Sequence, residues 1–262
     1  MRAFKKIVWI LVIVLIWHTI SRIVNKALFV PSPESTFKVI IDMLKTGAFW
    51  KHLGASFGRV TLGVAIATLI STPLGLLIAW NSRVNELLLP IVNSMRFIPV
   101  TCFSPLLILM FGIDEEMKII FLVIAGFFAF FPGVIQIASD PQEELKETAY
   151  TMGFSYPRML WHCMIPMILP TLIQSTITLY GVGWTYVILA ELNNTQYGLG
   201  HLMYIGSARG HTDMVFAAIV IIVAVSYFFD KIANYILIKA FPWRFQQDEW
   251  IKIWRFSESL WR

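Results

Sequence analysis

Three stretches of this chain, residues 60–82, 119–139 and 159–190, contain no Asp, Glu, Lys or Arg. Each is long enough to cross a bilayer as a helix, which takes roughly 20 mostly apolar residues. Backbone in hydrocarbon has no water to bond, so its N–H and C=O groups must be satisfied internally, as only helices and closed barrels allow. The runs lack the alternation of lipid-facing and lumen-facing residues that barrel strands need. The fold class that follows is all-α, a polytopic helical membrane protein. Composition agrees: 57% of the 262 residues are hydrophobic and 14% are charged, against about 25% charged in soluble domains.

Many of the charges flank the apolar runs. The net charge of +5 therefore reads as anchoring at the surface of membrane lipid, with no nucleic-acid partner implied. Cys102 and Cys163 lie in apolar runs without CxxC spacing and read as small packing residues. The five histidines have no HExxH or paired spacing, so no metal site is expected.

Hydropathy gives six spans, at about residues 7–29, 58–80, 88–111, 117–138, 162–190 and 214–238. The domain organisation expected is a first transmembrane helix (1–29), an external loop with an interfacial helix (30–57), a core of five spans (58–240) and a tail (241–262). The basic start of the first span resembles a signal peptide, but no A-x-A site follows, so it is expected to stay uncleaved. An even number of spans puts both termini on one side. Arg2, Lys5 and Lys6 before the first span, with Lys239, Arg244, Lys252, Arg255 and Arg262 after the last, mark that side as cytoplasmic. Lys38, Lys45 and Lys51 in the external loop run against the trend. In that loop Ser32-Pro33 predicts a helix start and Gly47 a helix stop. Phe37, Ile40, Ile41 and Leu44 form the apolar stripe of a helix lying on the outer membrane surface. Trp243, Trp250 and Trp254 in the tail fit interfacial anchoring.

Polar residues inside spans are pathway candidates by default. Here they are Ser94, Arg96, Thr101 and Ser104 around the third span, where Pro99 and Pro105 predict a break or kink, then Gln136 in the fourth. Gln174, Thr176, Thr178, Tyr180 and Thr185 mark the fifth.

Between the fourth and fifth spans stands a charged insert, "ASDPQEELKETAYTMGFSYPRMLWH". Asp140-Pro141-Gln142-Glu143 is a helix opening, with an Asp cap, Pro in the first turn and Glu three residues after the cap. Leu145, Ala149 and Met152 recur at i, i+4, i+7 as a narrow apolar stripe suited to a partner's groove. Gly153 predicts a bend and Pro157 the first turn of a second helix that re-enters the membrane.

Within this insert "ETAYTMG", followed by Pro166 and Pro170, resembles the EAA loop of binding-protein-dependent ABC importer permeases. Glu147, Ala149 and Gly153 match the motif, whereas Thr148 stands for its first Ala and Ile165 for the Leu before the first Pro. In order, "PSPESTF", "ASFGRVTLG", "RFIPVTCFSPLLILMFGIDEEMKI" and "GWTYVILAELNNTQYGLGHLM" look like permeases of the nitrate/sulfonate/taurine importer family. The resemblance implies a type I ABC importer permease fold, a homodimer with a second copy of itself, and alternating access. It implies two cytoplasmic ABC ATPase subunits, a periplasmic or lipid-anchored substrate-binding protein, and a bacterial inner-membrane location. The insert, about residues 140–160, would be the coupling helix, with Leu145, Glu147, Ala149, Met152 and Gly153 at the ATPase contact. Ser94, Arg96, Thr101, Ser104, Gln136, Thr178, Tyr180 and Thr185 become candidates for the translocation path. Glu191 would contact the binding protein or terminate the fifth span. Permeases of this kind handle nitrate, sulfonates, taurine, bicarbonate, and vitamins or their precursors.

No G-x-x-x-x-G-K-[ST] loop occurs, and no glycine is followed by lysine. ATP and Mg are therefore expected on the partner ATPase, with no cofactor and no catalytic residue on this chain. A membrane-embedded enzyme would need a nucleophile–base or acidic pair in the spans, and none is found. A self-sufficient ion-coupled carrier or channel would usually show buried carboxylates or a pore motif, against which the uncharged interiors of spans two, four and five argue.

Overall fold

The computed structural model describes residues 2–24, 28–139, 143–192 and 195–245. Among these the regular elements are helices: α1 (Arg2–Val24), α2 (Pro33–Lys45), α3 (Gly47–Ala79), α4 (Ser82–Ser94), α5 (Phe103–Phe111), α6 (Glu115–Ser139), α7 (Glu143–Thr151), α8 (Tyr156–Met159), α9 (Ile165–Glu191), α10 (Leu199–Ala208) and α11 (Thr212–Ala240). Two 3-10 turns, Met95–Phe97 and Val100–Cys102, lie between α4 and α5. A π turn, Leu160–Met164, joins α8 to α9. It immediately precedes Pro166 and Pro170, whose rings crowd the carbonyls one turn back and lack the N–H that would close a regular turn.

The helices α3, α6, α11 and the continuous Tyr156–Glu191 are each long and apolar enough to cross a membrane. Ser82–Phe97 and Val100–Phe111 meet that test together, and Val8–Val24 is a shorter apolar helix. Four of the six expected spans are thus met by single helices and the third by the bent pair, while at the first the helix is apolar over a shorter length than the other spans. The break in the third falls at Ile98, whose extended backbone (φ −72°, ψ 118°) is the conformation imposed on a residue before proline, here Pro99.

The helix start at Ser32 is as expected, since its Oγ accepts from the Ser35 N–H at 3.2 Å. The expected stop at Gly47 is not. Thr46 ends α2, its N–H and its hydroxyl both donating to Met43 O at 2.9 and 2.6 Å, and Gly47 opens α3. On α2, Met43 is buried while Phe37, Ile41 and Leu44 stay exposed, leaving an apolar stripe without protein cover.

The chain divides into two compact units. The first comprises Met1–Gly63, Thr101–Leu122 and Trp184–Ser226. In it Trp17 stacks on Phe216 with centroids 5.7 Å apart, and its indole N–H donates to Pro31 O. Gly63 lets α3 approach α6 so closely that a Cβ there would strike Leu122. The second unit comprises Val64–Val100, Val123–Gly183 and Tyr227–Arg262. Here Gly75 lies against Val134 and Gly126 against Ala67, with no space for a side chain at either glycine. Small residues at such crossings replace the hydrophobic drive that lipid removes with close van der Waals packing. Val92, Phe131 and Ile135 form a neighbouring core.

Candidate functional site

The charged insert folds as α7, a glycine turn and α8, all within the second unit. Asp140, Pro141 and Gln142, the expected helix opening, lie outside the described residues. The turn is a Schellman motif: Gly153 N–H donates to Tyr150 O at 2.9 Å and Phe154 N–H to Ala149 O at 3.0 Å. Gly153 sits at φ +78°, in the left-handed region that favours glycine. The motif draws Phe154 back against a small core of Ala149, Met159 and Met164, with Trp80, Leu160 and Cys163 packed around it. Tyr156 reinforces the docking by donating from its hydroxyl to Trp80 O at 2.8 Å.

This packing corrects the expected stripe. Ala149 is 5% exposed and faces the chain's own core, while Met152 is 70% exposed, so the two do not share one docking face. The reason is the Schellman closure, in which Phe154, the residue after the glycine, folds back onto the same core as Ala149. Exposed surface is offered instead by Glu147, Tyr150 and Met152. Leu145 belongs to α7, but its side chain lies outside the described residues.

Of the expected path residues, the structure brings Arg96 and Gln136 to one cleft. It measures about 600 Å³ and is lined by Leu89, Asn93, Arg96, Phe97, Gln136 and Ser139, all of the second unit. Ser94, one helical position from Asn93, turns its hydroxyl back to Pro90 O at 2.9 Å. Thr178 is exposed on α9 and likewise donates back, to Gln174 O at 3.1 Å. Tyr180 is corrected to a packing residue, 4% exposed and stacked on Phe229; the ring offers its area to a core and not to a cavity. Thr101 and Thr185 are exposed and Ser104 half-buried, in the first unit.

Sequence reasoning missed the first unit's most organised polar cluster. Arg59, on α3, is 4% exposed and Glu191, at the end of α9, is 1% exposed. The Arg59 Nη1 donates to Glu191 Oε1 at 2.7 Å and also to Tyr197 O at 2.7 Å. Its Nε donates to Glu115 Oε2 at 2.7 Å, and Nη2 reaches the other oxygen of the same carboxylate. Such two-pronged pairing is the strongest form of a guanidinium–carboxylate contact. Ser56 donates to Glu191 at 2.7 Å and accepts from the Leu199 N–H at 2.8 Å. The Gly200 N–H donates to Glu191 Oε2 at 2.8 Å, and Lys118 closes on Glu115 at 3.4 Å. Gly198 (φ +149°) and Gly200 have no room for a Cβ because the Glu191 side chain occupies that space.

Glu191 is thus an internal group, not a surface contact of the outer face. The available signal was the placement of Arg59 and Glu191 as charges bounding uncharged runs, since a charge at such a point needs a partner when buried. Beside the cluster, His52 Nδ1 lies 3.1 Å from the Gly198 N–H, and its ring stacks on His201 with centroids 5.7 Å apart. Burial, then the neighbouring His52, holds His201 below the ordinary histidine range.

Residues 71–239 match the family of binding-protein-dependent transport system inner membrane components. The chain belongs to this family. It is an ABC importer permease with homologues of the taurine and aliphatic-sulfonate type, and a multi-pass membrane protein. The taurine transport system permease protein of Escherichia coli is 26% identical over 238 residues, covering 88% of this chain and 86% of that protein. A Bacillus subtilis permease named for aliphatic sulfonates is 26% identical over 234 residues, covering 89% and 85%. The inward-facing MetNI methionine ABC transporter aligns with a TM-score of 0.58 at 16% identity, over 72% of this chain and 95% of the other. That likeness gives the fold, the type I importer permease architecture. The permease match includes the α7–turn–α8 insert and the Arg96–Gln136 cleft, while Arg59 lies ahead of it.

Proposed function

We propose that this permease forms the translocation path of an ATP-driven importer for a small anion, a sulfonate or taurine-like solute. It works as a homodimer in the bacterial inner membrane, with both termini cytoplasmic. A periplasmic or lipid-anchored binding protein delivers the solute, and two separate ABC ATPases supply the energy, holding ATP and Mg on their own chains. Alternating access follows when ATPase closure is transmitted through the insert at Glu147–Tyr150–Met152 to α9.

The observation that carries this reading is the build of the insert. A short charged helix is closed by a glycine Schellman turn and anchored by Ala149 and Phe154 to the helix that becomes α9. A push on α7 therefore reaches a membrane-crossing helix through packed side chains and not through a slack loop. The substrate class is supported by the relatives named for taurine and aliphatic sulfonates.

The test has two parts. Gentle detergent extraction of a tagged copy, with mass spectrometry of co-purifying chains, is expected to recover an ATPase and a binding protein. Gly153→Asp is expected to insert normally yet abolish uptake, because the left-handed turn is strained for a side chain by about 1 kcal/mol and charge enters the docking surface. Normal uptake by a well-inserted Gly153→Asp protein would overturn the coupling assignment.

A further inference from the structure

We propose that the cleft of Asn93, Arg96, Gln136 and Ser139 is an oxyanion-binding station, which holds a small sulfonate at the end of α6 that leads into the coupling helix. The proposal rests on the importer reading and assigns the anion a place on this chain.

Four of the six lining residues carry polar side chains able to donate hydrogen bonds, and none of the six is acidic. The side chains of Arg96, Asn93 and Gln136 make no hydrogen bond or ion pair with any described residue. Ser139 Oγ accepts from Asn85 Nδ2 at 3.0 Å, which leaves its own proton to donate elsewhere. The described lining therefore offers a guanidinium with amide and hydroxyl donors and no carboxylate, a set that suits an oxyanion. A guanidinium presents a rigid fork that meets two oxygens of a sulfonate or phosphate at once. Amide and hydroxyl donors then fix the remaining oxygens, and Leu89 and Phe97 supply an apolar wall for a short alkyl group.

A volume of about 600 Å³ lies within the usual range for ligand sites and leaves a small anion partly hydrated. One arginine in an open cleft binds weakly, as a path requires, because a solute that enters must also leave. Ser139 is the last residue of α6, and α7 begins at Glu143. Occupancy of the station and position of the coupling helix thus bear on the same short segment.

The test uses the full-length permease in detergent and in nanodiscs, with ethanesulfonate as the probe. Phenylglyoxal modification is followed by peptide mass spectrometry at Arg96, with the exposed Arg83 as internal reference. Ethanesulfonate is expected to slow labelling at Arg96 by about fivefold or more and leave Arg83 unchanged, as a charge-assisted fork would. The neutral isostere ethanesulfonamide is expected to give no protection. Asn93→Leu and Gln136→Leu should each raise the sulfonate concentration needed by about tenfold, the worth of a hydrogen bond to a charged group.

Equal labelling with and without ethanesulfonate overturns the station. So does protection by phosphatidylglycerol nanodiscs alone with no further effect of sulfonate, which would make the occupant a lipid headgroup. Sulfonate uptake without protection of Arg96 sinks the station and leaves the importer reading intact. Protection of Arg96 in a permease that recovers no ATPase does the reverse.

Discussion

Arg59 and Arg96 lie in different units of the molecule and in opposite surroundings. Arg59 is 4% exposed, with its fork closed by two carboxylates and a backbone carbonyl. Arg96 is exposed and faces a cleft among other donors. A buried charge without a partner costs several kcal/mol, so the first arginine is fixed by the fold and can bind nothing else. The second stands exposed at a cleft, where a small anion can reach it. Polarity in this chain thus divides into groups that the fold encloses and pairs and groups that it leaves exposed.

The sharpest way to break this contrast is Glu191→Ala. It would leave Arg59 with Glu115 and the Tyr197 carbonyl, and orphan the Gly200 N–H and the Ser56 hydroxyl proton. A loss of about 3–5 kcal/mol is expected, the usual cost of removing one partner from a buried pair. Fluorescence-detected size exclusion after a heating series would register this as lost folded protein. A Glu191→Ala protein as heat-resistant as the parent would remove the network from the list of fold determinants.

Gly198→Ala is expected to come next, at about 2 kcal/mol or more. The added Cβ would collide with the Glu191 carboxylate at a backbone angle, φ +149°, that side chains rarely adopt. The same thermal series would read it, and Gly47→Ala, at a position with open space, gives the control expected to change little.

Arg96→Gln inverts the pattern. Thermal stability is expected to stay within about 0.5 kcal/mol, as for surface sites away from special features, while sulfonate uptake falls. A large drop in melting temperature with uptake per folded molecule preserved would assign Arg96 to the scaffold beside Arg59.

The smallest effect expected is one of pH. His201 titrates below its unfolded value of about 6.5, because burial and His52 disfavour its charged form. The stability linked to it is present in full above the unfolded value and falls as the pH drops toward the folded one. His201→Asn should flatten that acid-side decline in a melting series, and an unchanged slope would place the titration elsewhere.

The bend at Gly153 was legible because a glycine after a short charged helix has few other uses, and the structure closes it as a Schellman turn. The same local logic failed at Gly47, where the Thr46 hydroxyl took the capping role. The third-span break was legible from Pro99, a backbone restriction that needs no tertiary partner. Tyr180 and Thr178 were indistinguishable as polar residues two positions apart, and only the packing of Phe229 against one of them separated core from exposed face.

Taken alone, the sequence determined the membrane-crossing helices, their order, the broken span and the glycine turn. Each of these follows from hydropathy over one segment or from the backbone preferences of Gly and Pro. Tertiary structure decided which polar groups meet. Ser56, Arg59, Glu115, Glu191 and Gly200 come from segments far apart in the chain, as do Arg96 and Gln136. Whether a charge is neutralised by a partner or left facing a cleft depends on helix contacts across such distances, and no local pattern encodes them.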